Sequence, residues 1–217
     1  MSLLHVDSVM KSYGLRAILT DVYLYCKKGE VVGLLGRNGC GKSTLLKIIF
    51  GSLSAEYRFV KVGDKQIRNM TDGYKHIRYL PQDGFLPNNI KIRTIIDMFC
   101  APRWADKVAG HPIIEPSLDK KSKELSGGER RFFEILLMIY ADAEFVMIDE
   151  PFNGLSPIRI EEIKGLIREQ SPEKGFIITD HDYRNILDIA SRIMLIHEGA
   201  IKNIKDSEEL RHWGYIP

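Results

Sequence analysis

The chain has little that would place it in a specialised environment. Only three of its 217 residues are cysteines, Cys26, Cys40 and Cys100, and none shares a C-x-x-C or zinc-type spacing. That excludes a disulfide scaffold and a zinc ribbon, and predicts reduced thiols in a cytosolic protein. The six histidines include no H-E-x-x-H pair, so no protein-ligated zinc is expected. Charge of one sign is also lacking. Lys and Arg number 31 against 29 Asp and Glu, a formal charge of +2. So small an excess argues against direct binding of nucleic acid. The local cluster of Lys120, Lys121, Lys123, Arg130 and Arg131 is expected to be a solvated face.

No long hydrophobic run is present either. The most apolar stretch, residues 132–148, is broken by Glu134, Asp142 and Glu144, whereas a spanning helix needs about 20 mostly apolar residues. His5 and Asp7 stand where a signal peptide would need an apolar core. No internal repeat, low-complexity tract or long linker divides the chain. Its content of 44% hydrophobic and 28% charged residues is that of an ordinary globular protein. The length suits one domain with a sizeable core, or one domain with a small lobe.

What is present is an alternation of strands and helices. Residues 3–8 and 17–26 read as strands, and EVVGLL at Glu30–Leu35 as a buried parallel strand ending in a glycine loop. Lys42–Phe50 reads as a helix stopped by Gly51, and 58–67 as one further strand. Residues 83–124 carry Pro87, Pro102, Pro112 and Pro116 and one good helix near Lys91–Ala101, which suggests an inserted helical lobe. Glu129–Ala141 is apolar nearly all round and should be a buried helix. Phe145–Ile148, Phe176–Thr179 and Arg192–His197 read as strands. Ser156 and Pro157 should cap and open a helix to about Gln170. Asp206 and Glu209 predict a capping box for a last short helix. The sum is an α/β fold with a mostly parallel sheet.

Three strings carry chemistry. GRNGCGKST at Gly36–Thr44 fits G-x-x-x-x-G-K-[ST] through Gly36, Gly41, Lys42 and Ser43. Its glycines let the backbone wrap closely, so that N–H groups point at phosphate oxygens. The helix that follows adds its positive end. Lys42 supplies a point charge to the β- and γ-phosphates, and the Ser43 hydroxyl a ligand for Mg²⁺. Phe145–Asp149 places Asp149 at the carboxyl end of a strand, within reach of Mg²⁺ through water. Glu150 follows, placed to act as general base on a water. LSGGE at Leu125–Glu129 is glycine-rich and runs straight into a buried helix. Ser126 is an N-cap candidate there, and Gly127 and Gly128 permit close approach of a phosphate.

Together with VMIDEP at Val146–Pro151 and a histidine at His181, these strings resemble the ATP-binding cassette (ABC) ATPases in order and spacing, over essentially the whole chain. The resemblance implies a P-loop NTPase core with an N-terminal antiparallel β subdomain and a small inserted helical subdomain near 83–128. All would lie within a single nucleotide-binding domain, 1–217. It implies an ATP site built from Tyr13, Gly36, Arg37, Asn38, Gly39, Cys40, Gly41, Lys42, Ser43 and Thr44, with Tyr13 stacking on adenine. Ser126, Gly127 and Gly128 would be given to the ATP of a second copy or a similar subunit. Glu150, His181 and Gln82 would be catalytic, and Ser43, Gln82 and Asp149 would serve Mg²⁺.

The expected activity is hydrolysis of ATP with Mg²⁺ in a two-fold dimer, energising a separate transmembrane permease from the cytoplasmic face of the membrane as a peripheral subunit. A soluble switch of the same class acting on ribosomes or DNA is the alternative, against which stand the mild charge and the single cassette. Three departures from the family pattern stand out. Glu129 replaces the frequent glutamine, with little loss expected. Ser156 replaces a common aspartate, which should weaken coupling between sites. The segment from Gln82 to Leu125 is short, and Phe85, Leu86, Ile95, Met98 and Phe99 are expected to line a partner groove there.

Overall fold

The computed structural model describes residues 2–217. Its centre is a six-stranded sheet in the order β10-β9-β3-β8-β7-β6. These strands are β3 (Val31–Leu35), β6 (Ile77–Leu80), β7 (Phe145–Asp149), β8 (Gly175–Thr179), β9 (Arg192–His197) and β10 (Ala200–Ile204). All neighbours are parallel except β10, which runs antiparallel to β9. β3, β7 and β8 are buried at every position, as parallel strands covered on both faces must be.

The period-2 alternation then decides which core each residue enters. Phe145 and Met147 pack with Val32, Leu34 and Ile177 on one face. Val146 and Ile148 pack with Val31, Leu35 and Ile178 on the other. The first face is covered by α1 (Lys42–Phe50), through Leu45, Leu46, Ile48 and Ile49, and by a four-stranded antiparallel sheet. That sheet comprises β1 (Leu3–Tyr13), β2 (Arg16–Lys27), β4 (Tyr57–Val62) and β5 (Lys65–Gln66). The second face is covered by α5 (Gly127–Ile139), with Phe132, Phe133, Leu136 and Leu137 buried. Helices α3 (Ile92–Phe99) and α4 (Pro102–Ala109) add Ile92, Ile95, Ile96 and Val108 to that same core.

The ends of α5 are satisfied by side chains. At its start Ser126 accepts from the Glu129 amide, and Glu129 returns to the Ser126 amide, a reciprocal capping box. Beyond its end, buried Lys174 donates to the carbonyls of Ile139 (2.8 Å) and Ala141, where a cation meets the negative end of the helix.

Several local expectations need correction. The segment 58–67 is not one strand but a hairpin, β4 and β5. β1 and β2 run longer than 3–8 and 17–26 because the antiparallel ladder continues to the turn at Gly14. Helices α2 (Met70–His76) and α7 (Tyr183–Ile189), and strands β6 and β10, lie in segments not read as regular elements. Helix α6 (Pro157–Gln170) opens on Pro157, but Ser156 makes no side-chain cap bond. Asp206 caps α8 (Ser207–His212) by accepting from the amides of Glu208 and Glu209. The Glu209 carboxylate goes instead to the Lys205 amide, so only half of that capping box forms.

The expected partner groove is largely filled by its own residues. Leu86 and Ile95 are buried, Phe85 meets Phe99 edge-to-face at 5.0 Å, and only Met98 stands well exposed.

Candidate active site

Parallel packing puts the carboxyl ends of β3, β8, β7 and β6 along one edge, where open sheets of this kind place ligands. The loops leaving those ends carry Gly36–Gly41, His181, Glu150 and Gln82 respectively. They border a cleft of about 420 Å³ lined by Tyr13, Ile18, Asn38, Gly39, Gly41, Lys42, Ser43, Thr44, Gln82, Glu150 and His181.

The glycine loop turns into α1 at Gly41, whose φ of +109° is open to glycine and strained for other residues. No side chain caps α1. The first amides of a helix have no partner within it, so those of Lys42, Ser43 and Thr44 are donors in need of acceptors beside the cleft. Lys42 is buried and its Nζ folds back to the carbonyls of Gly36 (2.6 Å) and Arg37 (3.4 Å). An ammonium has three donors, leaving one for an anion. A buried cation and an uncapped helix start together fit a polyphosphate.

Gly36, Arg37 and Cys40 support this loop without lining the cleft. Arg37 turns away to donate to the Gly214 carbonyl (2.7 Å). The Cys40 sulfur packs under Gly36, and burial pushes its thiol up from the ordinary value.

Glu150 is the focus of the opposite wall. Its carboxylate Oε2 lies 2.7 Å from Gln82 Nε2 and 2.7 Å from His181 Nε2. A carboxylate is an acceptor only, so both nitrogens donate. Its backbone has φ +52°, uncommon for a residue with a Cβ. The conformation is held by the Glu150 amide, which donates to Thr179 O (3.0 Å) and Thr179 Oγ1 (3.1 Å).

Asp149 is buried beside the cleft rather than lining it. It accepts from Thr179 Oγ1 (2.7 Å) and Tyr79 OH (3.3 Å). Among the described residues no three His, Cys, Asp or Glu side chains converge as a cation cage. Ser43 and Thr44 line the cleft itself, at the start of α1.

Tyr13 is 53% exposed at the mouth of the cleft, with the Lys11 ammonium 5.3 Å from its ring centroid. Ser126, Gly127 and Gly128 do not join this cleft. Ser126 and Gly127 are exposed at the start of α5. Gly128 lines a separate hollow with Gly154, Ser156 and Arg159.

Sequence reasoning missed Thr179, which ends the apolar strand GFIIT and braces both Asp149 and Glu150. It also missed Asp180, whose carboxyl is raised by burial although it accepts from the amides of Asp182 and Phe152. Arg131 was expected on a solvated face with its basic neighbours; instead it is buried, with Glu134, behind Glu150, where the carbonyls of Asp149 and Glu150 take its guanidinium donors. The signal for Thr179, Asp180 and Glu134 was a polar residue inside, or closing, an otherwise apolar run; Arg131, in a charged stretch, carried none.

The fold and this cleft define a nucleotide-hydrolysing protein of the P-loop class. The sequence model of the ABC transporter family matches residues 19–153. The chain is 31% identical over 215 residues to the lipopolysaccharide export system ATP-binding proteins LptB of Haemophilus influenzae and Escherichia coli K12, covering 93% of this chain and 89% of each relative. It is also 31% identical to a probable ABC transporter ATP-binding protein of Azorhizobium caulinodans, over 92% of this chain and 76% of that one. A solved ATP-binding subunit of an ABC transporter superposes with a TM-score of 0.85 at 21% identity, over 98% of this chain and 94% of that chain. A bacterial Atm1-family ABC exporter with ATP bound superposes with a TM-score of 0.80 at 21% identity, over 97% of this chain and 40% of that one. The chain belongs to the ABC transporter family, as an ATP-binding and ATP-hydrolysing subunit that energises transport.

Proposed function

We propose that ATP lies in this cleft with its phosphates on the free amides of α1 and on Lys42, and its adenine against Tyr13. The observation that carries this reading is the convergence of Lys42, Gln82, Glu150 and His181 on one cleft, with the last three joined at 2.7 Å. Mg²⁺, when bound, neutralises phosphate charge, and Ser43, Gln82 and, through water, Asp149 would hold it. For hydrolysis, Gln82 and His181 hold the Glu150 carboxylate facing the cleft. Glu150 takes a proton from water as the water oxygen bonds to the γ-phosphorus, and ADP leaves with the bridging oxygen. His181, 48% exposed in its side chain, can turn its donor to the γ-phosphate while ATP is bound.

A second copy, or a similar subunit, supplies Ser126–Gly128 to the open side of the cleft. Ser126 and Gly127 are exposed and outside their own subunit's cleft, and an exposed helix start is an anion site. The dimer closes on ATP and opens after hydrolysis. No helix among the described residues is long and apolar enough to cross a membrane. A separate membrane-spanning permease completes the transporter, with this subunit peripheral on its cytoplasmic face, a reading supported by the likeness to ATP-binding proteins of lipopolysaccharide export systems. Affinity purification from detergent extracts tests this: a polytopic membrane protein should co-purify, and its ATP-driven transport should be lost with Glu150→Gln. Recovery of ribosomes or DNA-bound complexes in its place would refute it.

A further inference from the structure

Helix α5 is apolar over most of its second half, yet it buries two opposite charges. Arg131 is 8% exposed and Glu134 is 3% exposed. A buried ion pair is weak evidence of stabilisation by itself, so what it touches matters. Arg131 Nη2 donates to the carbonyls of Asp149 (2.7 Å) and Glu150 (3.0 Å). Its Nη1 donates to the Pro81 carbonyl (3.1 Å) and to Glu134 Oε2 (3.4 Å). Glu134 Oε1 in turn accepts from the amides of Phe85 (3.1 Å) and Leu86 (3.4 Å). One guanidinium thus joins the end of β7 to the residue before Gln82, and its carboxylate partner fixes the loop after Gln82. The approach is close: a Cβ at Gly84 would meet Glu134 Oε1 at 2.4 Å.

These are the two loops that bring Gln82 and Glu150 into contact at 2.7 Å. The left-handed backbone of Glu150 persists only where its surroundings over-determine it. Thr179 holds its amide, and Arg131 holds its carbonyl.

We propose that Arg131, held by Glu134, is a positioning residue for hydrolysis. It sets the Glu150 backbone and the loop of Gln82 within its own subunit. The proposal rests on the dimeric ATPase described above. In that dimer the first turn of α5 serves the nucleotide of the other copy, while Arg131, further along the same helix, serves the Glu150 of its own. The two roles of α5 therefore fall on different sites, and an experiment can separate them.

Mixed dimers of two differently tagged copies do so. One copy carries Glu150→Gln, so turnover comes from the copy with intact Glu150. Arg131→Lys keeps the charge but cannot bridge four acceptors with a planar fork, and it is placed in either copy in turn. Beside intact Glu150 it should lower kcat about 10²-fold, the cost of a misplaced catalytic group, with KM for ATP unchanged. In the Glu150→Gln copy it should leave turnover unchanged. Loss in the Glu150→Gln copy, or equal loss in both, would mean that Arg131 supports Ser126–Gly128 or the helix as a whole, and would overturn the proposal. Unchanged kcat in both arrangements would overturn it too. Glu134→Gln, which keeps shape and one acceptor oxygen, should reproduce the same asymmetry more mildly and serves if Arg131→Lys does not fold. A wild-type protein that binds no ATP or forms no dimer refutes the underlying reading, and this proposal with it.

Discussion

Glu150→Gln separates the chemistry from the cradle. The side chain keeps its length and planar end. Its amide oxygen can still accept from Gln82 Nε2 and His181 Nε2, which both lie 2.7 Å from Glu150 Oε2. The backbone restraints from Thr179 and Arg131 do not involve the side chain and remain. What is lost is a group able to take a proton from water. General-base catalysis contributes about 10²–10⁴-fold, or about 3–5 kcal/mol of barrier. Binding should not suffer, because removing a negative charge from the cleft wall relieves repulsion with the polyphosphate. Steady-state phosphate release measures the loss, and titration with a labelled nucleotide measures affinity. Light scattering with MgATP should show dimers accumulating, because closure proceeds and opening waits on hydrolysis. A variant that releases phosphate at the wild-type rate would remove Glu150 as the base. Affinity weakened more than about tenfold, 1.4 kcal/mol, would make Glu150 part of the cradle instead.

Lys42→Ala removes a charge-assisted contact worth about 1.5–3 kcal/mol, so ATP affinity should fall about 10- to 100-fold; unchanged affinity in the same titration would take Lys42 out of the site. Cys40 should be alkylated slowly, because burial raises its thiol, and more slowly still with MgATP; equal mass-spectrometric labelling rates with and without nucleotide would count against the loop's contact with phosphate. Lys174 is lowered to about 8 from 10.5, first by burial and then by repulsion from Arg103, so the unfolded chain binds its proton more tightly. Its contribution is therefore full above about 10.5, is lost as pH falls through about 8, and amounts to about 3 kcal/mol. Urea midpoints should accordingly rise over that window relative to Lys174→Met, and a constant difference would refute the assignment.

The convergence of Lys42, Gln82, Glu150 and His181 on one cleft was legible in the sequence because each part is local. The loop from Gly36 to Thr44 carries its own backbone instructions, and fully apolar runs such as Phe145–Ile148 announce buried parallel strands whose ends must be exposed to ligand. The elements that escaped notice depend on distant partners. β6, read IRYL, is held by pairing with β7 rather than by any pattern of its own. α7 is only seven residues long and is fixed where Ile186 and Ile189 enter the core. Arg131 and Glu134 were legible as residue types, but their meaning lay in carbonyls at Pro81, Asp149 and Glu150 that no spacing rule connects. The expected partner groove meets the opposite difficulty: of the apolar residues after Gln82 that would line it, Leu86 and Ile95 are taken by the lobe's own core.

The geometry also changes the weight of one departure from the family pattern. Glu129 stands where the family commonly has glutamine, a change from which the sequence alone predicts little loss. Its carboxylate accepts from the Ser126 amide at 2.8 Å and from Ser126 Oγ at 2.7 Å. The Ser126 hydroxyl and then its amide hold that carboxyl below the usual carboxylate range. In the proposed dimer the same hydroxyl proton is needed by the phosphate of the other copy. A glutamine amide would compete for it as a neutral acceptor, whereas Glu129 competes with a full charge beside the incoming anion. The capping box steadies α5 in the isolated subunit and opposes its use at the interface. On that proposal, closure on ATP would have to turn Ser126 Oγ away from Glu129, and the amides of Gly127 and Gly128 at the helix start would supply the attraction that offsets the lost bond.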